Sequence, residues 1–177
     1  MSKQTLIATL LILLGHTFAF GFQTSEPWQK FSSEEGKFTI LMPTKPKVEV
    51  KEVDSQIGKL TQYVYVSSTD NGLFQVSYAD YTVDPPSEKR DSVLEAIREG
   101  VITGLKAELV TQKNITLQGY PGREFLAQRQ IEGIDFVFHW RIFLVGRRVY
   151  QLAVANQKKT DASAEITKFV TSFELDQ

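Results

Sequence analysis

Residues 134–145, Ile-Asp-Phe-Val-Phe-His-Trp-Arg-Ile-Phe-Leu-Val, decide the fold of this 177-residue chain. Successive side chains of a β-strand point to opposite faces, so every second residue shares a face. One face of this segment consists only of large apolar side chains, namely Ile134, Phe136, Phe138, Trp140, Ile142 and Leu144. The other face mixes Asp135, His139 and Arg141 with apolar residues. Such a strand is typical of the middle of a sheet that is covered on both faces, at least in part.

Further strand patterns lie on both sides of this segment. Glu132-Gly133 and Gly146-Arg147 are turn sequences at its two ends. Alternating apolar residues predict strands at 28–31, 38–42, 47–53, 60–67 and 73–81, and later at 108–117, 123–131 and 148–155. Asp70-Asn71-Gly72 predicts a tight hairpin turn, in which Asn-Gly would adopt positive φ angles. Gly119-Tyr120-Pro121-Gly122 predicts a second turn.

The apolar period changes from two to three or four in two places, which predicts two amphipathic helices. Leu94, Ile97, Val101 and Leu105 form the stripe of the first, over about residues 87–105, with Ser87 or Asp91 as its expected N-cap. The second spans residues 161–172. Tight turns make consecutive strands antiparallel. We therefore expect an α+β fold, with a central antiparallel sheet of about seven to nine strands and two helices packed on it.

Residues 1–22 have the order of a secretory signal peptide. Lys3 is followed by the apolar run from Leu6 to Leu14, and Thr17-Phe18-Ala19 places small residues where a signal peptidase cleaves. The sequence predicts export to the periplasm or the extracellular space, or to an organelle lumen. An uncleaved N-terminal anchor is the alternative, although the strongly apolar core is shorter than the ~20 residues of a spanning helix. Residues 23–177 then form a single α+β domain.

Composition narrows the function classes. Without residues 1–22 the chain has 155 residues, 19 basic and 21 acidic, and a net charge of −2. This balance argues against nucleic acid as a partner and against electrostatic docking on a membrane. The chain has no cysteine, so packing rather than disulfides must stabilise the exported domain. With one histidine after the leader and no thiolate, we expect no metal site and no cofactor.

Four short segments resemble the PsbP-like fold family. They are Lys37-Phe38-Thr39-Ile40-Leu41-Met42-Pro43, Val76-Ser77-Tyr78-Ala79-Asp80, Leu117-Gln118-Gly119-Tyr120-Pro121-Gly122-Arg123-Glu124 and Phe169-Val170-Thr171-Ser172-Phe173. The resemblance covers roughly residues 28–175. It implies an α/β/α sandwich and an accessory binding role, because the best-known members of the family are binding proteins rather than enzymes.

His139 is the one candidate for acid–base chemistry. A catalytic triad needs a nucleophile and an orienting acid beside the histidine. The chain has no Gly-x-Ser-x-Gly motif, and Asp135 lies four residues away along the same strand, about 13 Å by strand rise. The sequence therefore favours a strand residue over a catalytic base. A small hydrolase or lyase that uses His139 and Arg141 remains the alternative.

The remaining polar candidates lie near turns and form a possible interaction surface. Together with His139 and Arg141, they are Tyr120, Arg123, Glu124, Arg147 and Arg148. We expect a non-catalytic exported module that docks a protein partner, or a ligand, on its sheet and loops. A passive structural subunit of an envelope complex is a further alternative.

Overall fold

The computed structural model describes residues 28–55 and 58–176, which form ten strands and two α-helices. The strands are β1 (Gln29–Ser33), β2 (Phe38–Met42), β3 (Lys47–Ser55), β4 (Gly58–Thr69), β5 (Gly72–Asp80), β6 (Glu108–Leu117), β7 (Tyr120–Ile131), β8 (Ile134–Val145), β9 (Arg148–Gln157) and β10 (Glu174–Leu175). The helices are α1 (Arg90–Leu105) and α2 (Ser163–Thr171), and a 3₁₀ turn at Ser87–Lys89 precedes α1. The predicted order of five strands, a helix, four strands and a helix is present, and the unpredicted strand β10 follows it. Ten strands and two helices agree with the α+β class.

Seven strands form an antiparallel sheet in the order β3-β4-β5-β9-β8-β7-β6. The segment that predicted a central strand, β8, pairs with β7 on one side and with β9 on the other. Its apolar face packs under α1, where Phe138, Trp140 and Ile142 are almost fully buried. Leu94, Val101 and Leu105 of α1 complete this core cluster. The predicted apolar stripe of the helix is therefore its buried face.

The other face of the sheet is covered by α2 and by a second sheet of three strands, in the order β1-β2-β10. Phe38 of β2, Phe169 of α2 and Phe173 meet Phe74 and Tyr150 of the large sheet in one aromatic core. The strands are thus divided between two sheets, where the sequence predicted one. Pro43 and Pro46 separate β2 from β3, because proline has no N–H to continue a ladder.

Two details of the local predictions are wrong. The predicted tight hairpin joins β4 to β5, with Asp70 and Asn71 between the paired residues Thr69 and Gly72, but neither Asn71 nor Gly72 has a positive φ. Positive φ at both turn positions occurs instead at Gln118-Gly119 and at Glu132-Gly133. The predicted N-caps of α1 also fail, because Lys89 occupies that position without a side-chain bond.

The carboxylate of Asp91 accepts a hydrogen bond from Arg123 instead of capping the helix. The predicted signal peptide or anchor, residues 1–22, lies outside the described residues. Among the helices that are described, none is long and apolar enough to cross a membrane.

Candidate functional site

A groove lies between α2 and the outer strands β6, β7 and β8, with a volume of about 440 Å³. Two cross-strand rows form its floor. Lys113 pairs with Glu124, and Glu124 pairs with Arg141. In the next row, Thr111 pairs with Leu126, and Leu126 pairs with His139. The residues of α2 that line the wall are Ser163, Ile166, Thr167 and Val170.

Glu124 is the electrostatic centre of the groove. Its Oε1 lies 2.7 Å from Lys113 Nζ, and its Oε2 lies 2.5 Å from Arg141 Nε. Burial alone would raise the pKa of Glu124, but the hydrogen bonds from Lys113 and Arg141 outweigh it and lower that pKa. Glu124 is therefore ionised at neutral pH and balances one of its two cationic neighbours.

Arg141 fixes the helical wall to the sheet. Its Nη1 donates a 3.1 Å hydrogen bond to the carbonyl oxygen of Val170, in the last turn of α2. Cations near a helix C-terminus are favourable because the last carbonyls are unpaired and carry partial negative charge. One guanidinium thus contacts both the floor and the wall, which defines the width of the groove.

His139 is half-buried on the same floor and uncharged at neutral pH. Burial lowers its pKa, and the negative charge of Glu124 opposes that shift only in part. Within residues 28–55 and 58–176, no side chain makes a hydrogen bond to the His139 imidazole. The groove can therefore offer a neutral imidazole, the ammonium of Lys113 and apolar surface from Leu126, Ile166 and Val170.

Lys113 is the most accessible charge of the groove, with 65% of its side chain exposed. An ammonium has three N–H donors, and Glu124 takes one of them. With His139 neutral, Lys113 and Arg141 together exceed Glu124 by one positive charge. The groove is thus suited to a carboxylate that approaches from solvent beside apolar groups.

The other candidates from the sequence lie away from the groove. Arg123 is only 8% exposed and faces α1. Asp91 of that helix accepts a hydrogen bond from Arg123, and Glu95 lies within ion-pair distance of it. Adjacent residues of a strand point to opposite faces, which separates Arg123 from Glu124. Tyr120 is 38% exposed at the start of β7, and Arg147 is exposed in the β8–β9 turn.

Arg148 stabilises the fold on the same face of the sheet as the groove, over the aromatic core. Its guanidinium makes two hydrogen bonds to the carboxylate of Asp80, at 2.6 and 2.7 Å, and a third to the carbonyl oxygen of Glu35. It also lies 4.6 Å from the ring centroid of Tyr78. The bonds from Arg148 lower the pKa of Asp80. Arg148 therefore joins β9 to β5 and to the β1–β2 loop.

Sequence reasoning missed Lys113 and the wall residues of α2. A signal for Lys113 was present in the turn Gln118-Gly119. Counting outward from a two-residue turn places Leu117 opposite Tyr120 and Lys113 opposite Glu124. The described residues include no group of three His, Asp or Glu side chains placed to hold a metal ion.

Comparisons with known proteins show a similarity of fold and nothing more. No family model and no curated protein matches the chain. A crystal structure from Bacteroides thetaiotaomicron VPI-5482 is similar, with a TM-score of 0.51, 14% identity and 85% of this chain covered. The chain spans about half of that protein, 49% of its length. A protein of unknown function from Pseudomonas aeruginosa, PA94, shares 11% identity at a TM-score of 0.40, over 79% of this chain and 88% of its own.

Proposed function

We propose that this protein is a non-catalytic exported module that binds a protein partner in the groove between α2 and strands β6–β8. The observation that carries the proposal is the groove itself, an apolar wall above a floor with one excess positive charge. The expected partner presents a carboxylate, from an acidic side chain or a chain terminus, within an apolar segment. Its carboxylate would accept hydrogen bonds from Lys113, and its apolar groups would contact Ile166 and Val170.

His139 supports binding rather than catalysis in this arrangement. A general base needs a partner that orients its ring and a nucleophile within hydrogen-bond reach. Among the described side chains that line the groove, Glu124 forms ion pairs with Lys113 and Arg141 and makes no hydrogen bond to the imidazole of His139. In the proposed function His139 contributes a half-buried polar surface, and Arg141 holds the wall in place.

We assign the domain to the PsbP-like fold family as part of the same proposal. The order of strands and helices and the covering of both sheet faces support this assignment. The α/β/α sandwich of that family would correspond to α1, the large sheet and α2, with the small sheet as an addition beside α2. Residues 1–22 are proposed as the signal peptide that brings the domain to its partner.

A blocked groove tests the binding proposal. Thr167→Glu adds a negative charge and a longer side chain to the groove wall at an exposed helical position, which opposes a carboxylate partner, and Thr103→Glu is its matched control on the exposed side of α1. Both proteins are purified from the exported fraction of cells that express the full-length gene. A partner recovered with the wild type and with Thr103→Glu should be lost with Thr167→Glu. Equal recovery with all three proteins would contradict the groove as the binding site.

The hydrolase or lyase alternative is tested with a second variant. His139→Ala leaves the Lys113–Glu124–Arg141 row intact, so a docking function should lose at most severalfold in partner affinity. An activity found in the wild type and abolished by His139→Ala would contradict the non-catalytic proposal. The readouts are partner affinity and substrate turnover, measured on the same preparations.

The export proposal has its own measurement, the intact mass of the exported protein. Cleavage near Ala19 predicts a mature N-terminus between Phe20 and Gln23. A protein that retains Met1 and fractionates with membranes would instead establish residues 1–22 as an anchor. This outcome would leave the groove proposal unaffected.

A further inference from the structure

The two edges of the seven-stranded sheet differ in regularity. At one edge, the ladder between β6 and β7 shifts register between Leu109 and Thr111, and such a bulge disrupts further pairing. At the other edge, β3 pairs with β4 without a shift from Lys47 to Ser55. No described strand pairs with the outer side of β3. The unpaired N–H and C=O groups of such an edge are a template for another strand.

Two apolar side chains on β3 are exposed to solvent. Val48 is 57% exposed and Val50 is 59% exposed, although both lie on the face that carries the aromatic core. Their neighbours across the ladder are Tyr65 and Tyr63. A strand added beside β3 would cover the two valines and extend the sheet.

The charges of β3 determine which strand can pair with its open edge. On the face opposite the valines, Lys47, Glu49 and Lys51 alternate in sign, and Lys51 Nζ lies 2.7 Å from Glu49 Oε2. An edge with charges of one sign would repel a second copy of itself, which is how many proteins protect an edge. Alternating charges instead allow a second copy to pair, provided that opposite charges face each other.

We infer that two copies of this chain associate through antiparallel pairing of their β3 strands, with a two-fold axis at Val50. A two-fold axis normal to the sheet places each residue opposite a residue of the second copy whose side chain points to the same face of the sheet. An axis at Val50 places Glu49 opposite the partner's Lys51 twice and brings the two Val50 side chains together. An axis at Glu49 or at Lys51 places like charges opposite each other. An axis at Val48 would draw Pro46 into the pairing.

The dimer leaves both proposed binding grooves open. The strand order places β3 at one edge of the sheet and the groove strands β8, β7 and β6 at the other. The two sheets would join into one continuous antiparallel sheet with a groove near each end. The inference does not depend on the proposed function, because β3 contributes nothing to the groove.

Charge reversal tests the register. Glu49→Lys places the new lysine opposite the partner's Lys51, and Lys51→Glu places two acids opposite each other. Each variant alone should self-associate about tenfold more weakly than the wild type, by sedimentation velocity of the exported protein. An equimolar mixture of the two should recover the dimer, because each strand then meets opposite charge. A wild-type monomer, an unaffected variant or a mixture that stays monomeric would overturn the inference.

A cysteine scan tests the axis directly, because the chain has no cysteine of its own. Val50→Cys brings two thiols together at a directly opposed pair, where Cα atoms lie about 4.5–5.5 Å apart, within the range of a disulfide. In Val48→Cys, the matched control, the thiols are four residues apart along the strand, about 13 Å. Mild oxidation should therefore cross-link only the Val50→Cys protein. Cross-linking of neither variant, or of both equally, would overturn the assigned axis.

Discussion

Glu124 connects the three strands that form the floor of the groove. It contacts Lys113 on β6 and Arg141 on β8, and Arg141 in turn contacts the carbonyl of Val170 on α2. Removal of this carboxylate would leave two neighbouring cations, one of them partly buried, without a counter-charge. The geometry of the groove therefore depends on one acidic side chain more than on any of the others in this row.

Replacement of Glu124 should lower the stability of the fold. Glu124→Gln leaves the partly buried guanidinium of Arg141 without its carboxylate, so we expect the free energy of unfolding to fall by about 1–2 kcal/mol, partly screened by solvent. The lowered pKa of Glu124 means that its contribution is present above the ordinary carboxyl pKa of 4.5 and is lost as pH falls. Urea denaturation at neutral and acidic pH measures both effects.

The matched control for this variant is Glu34→Gln, at an exposed carboxylate in the β1–β2 loop. It should change the free energy of unfolding by less than about 0.5 kcal/mol. If the two variants were equally stable at neutral pH, the row of Lys113, Glu124 and Arg141 would not contribute as described.

His139 should make the protein less stable in mild acid. Its pKa is below the ordinary 6.5 in the folded chain, so the unfolded chain binds the proton more readily as pH falls below that value. The free energy of unfolding is therefore not reduced by His139 above pH 6.5, and it declines as the pH falls below that value. Melting temperatures at about pH 7.5 and 5.5 should differ less in His139→Gln than in the wild type. An equal difference in both proteins would contradict the effect of burial on His139.

At the scale of single elements, the hairpins bring the groove residues into register. Two-residue turns at Gln118-Gly119 and Glu132-Gly133 set which residues of β6, β7 and β8 face each other. Where β7 begins, Gly122 is buried against β8. A Cβ at this position would lie 2.6 Å from the carbonyl oxygen of Ile142 and 2.5 Å from Phe143 Cδ1. The close approach of the two strands thus requires glycine.

A side chain at Gly122 should disturb this approach. Gly122→Ala is expected to cost about 2–3 kcal/mol in the free energy of unfolding, since backbone atoms must move to admit the methyl group. Gly119→Ala meets nothing within 4 Å and costs only the strain of its positive φ, about 1 kcal/mol. Chemical denaturation of both variants checks the order, and a smaller loss for Gly122→Ala would contradict the packing of β7 on β8.

The sequence predicted most elements but not the register of one hairpin. The alternation in β8 and the stripe of α1 were sufficient to predict these elements because each buries most of one face. The turn before β7 was predicted at Gly119–Gly122, whereas β7 already begins at Tyr120. Pro121 suggested a turn, but it precedes the first β7–β8 pair, at Gly122, and so interrupts no bond to β8. This shift hid the pairing of Lys113 with Glu124.

At the scale of the whole molecule, the groove depends on contacts that no local pattern contains. The strands β6–β8 and the helix α2 are separated in sequence by β9, and Arg141 meets Val170 only after the sheet has formed. The two-residue strand β10 likewise has no periodicity of its own and is defined by its pairing with β2. The sequence could name Glu124, His139 and Arg141 as candidates, but only the packing of α2 shows that they share one groove.

The measurement that tests the central claim most directly is site-specific photo-cross-linking in the host. A photoreactive amino acid replaces Thr167 on the groove wall in one strain and Thr103 on the exposed side of α1 in another, both in the full-length gene. The proposed docking function predicts a discrete cross-linked partner at position 167, absent at position 103 and absent at 167 when the chain also carries Lys113→Glu. The same partner at both positions, or one at position 103 alone, would contradict the groove as the site of binding.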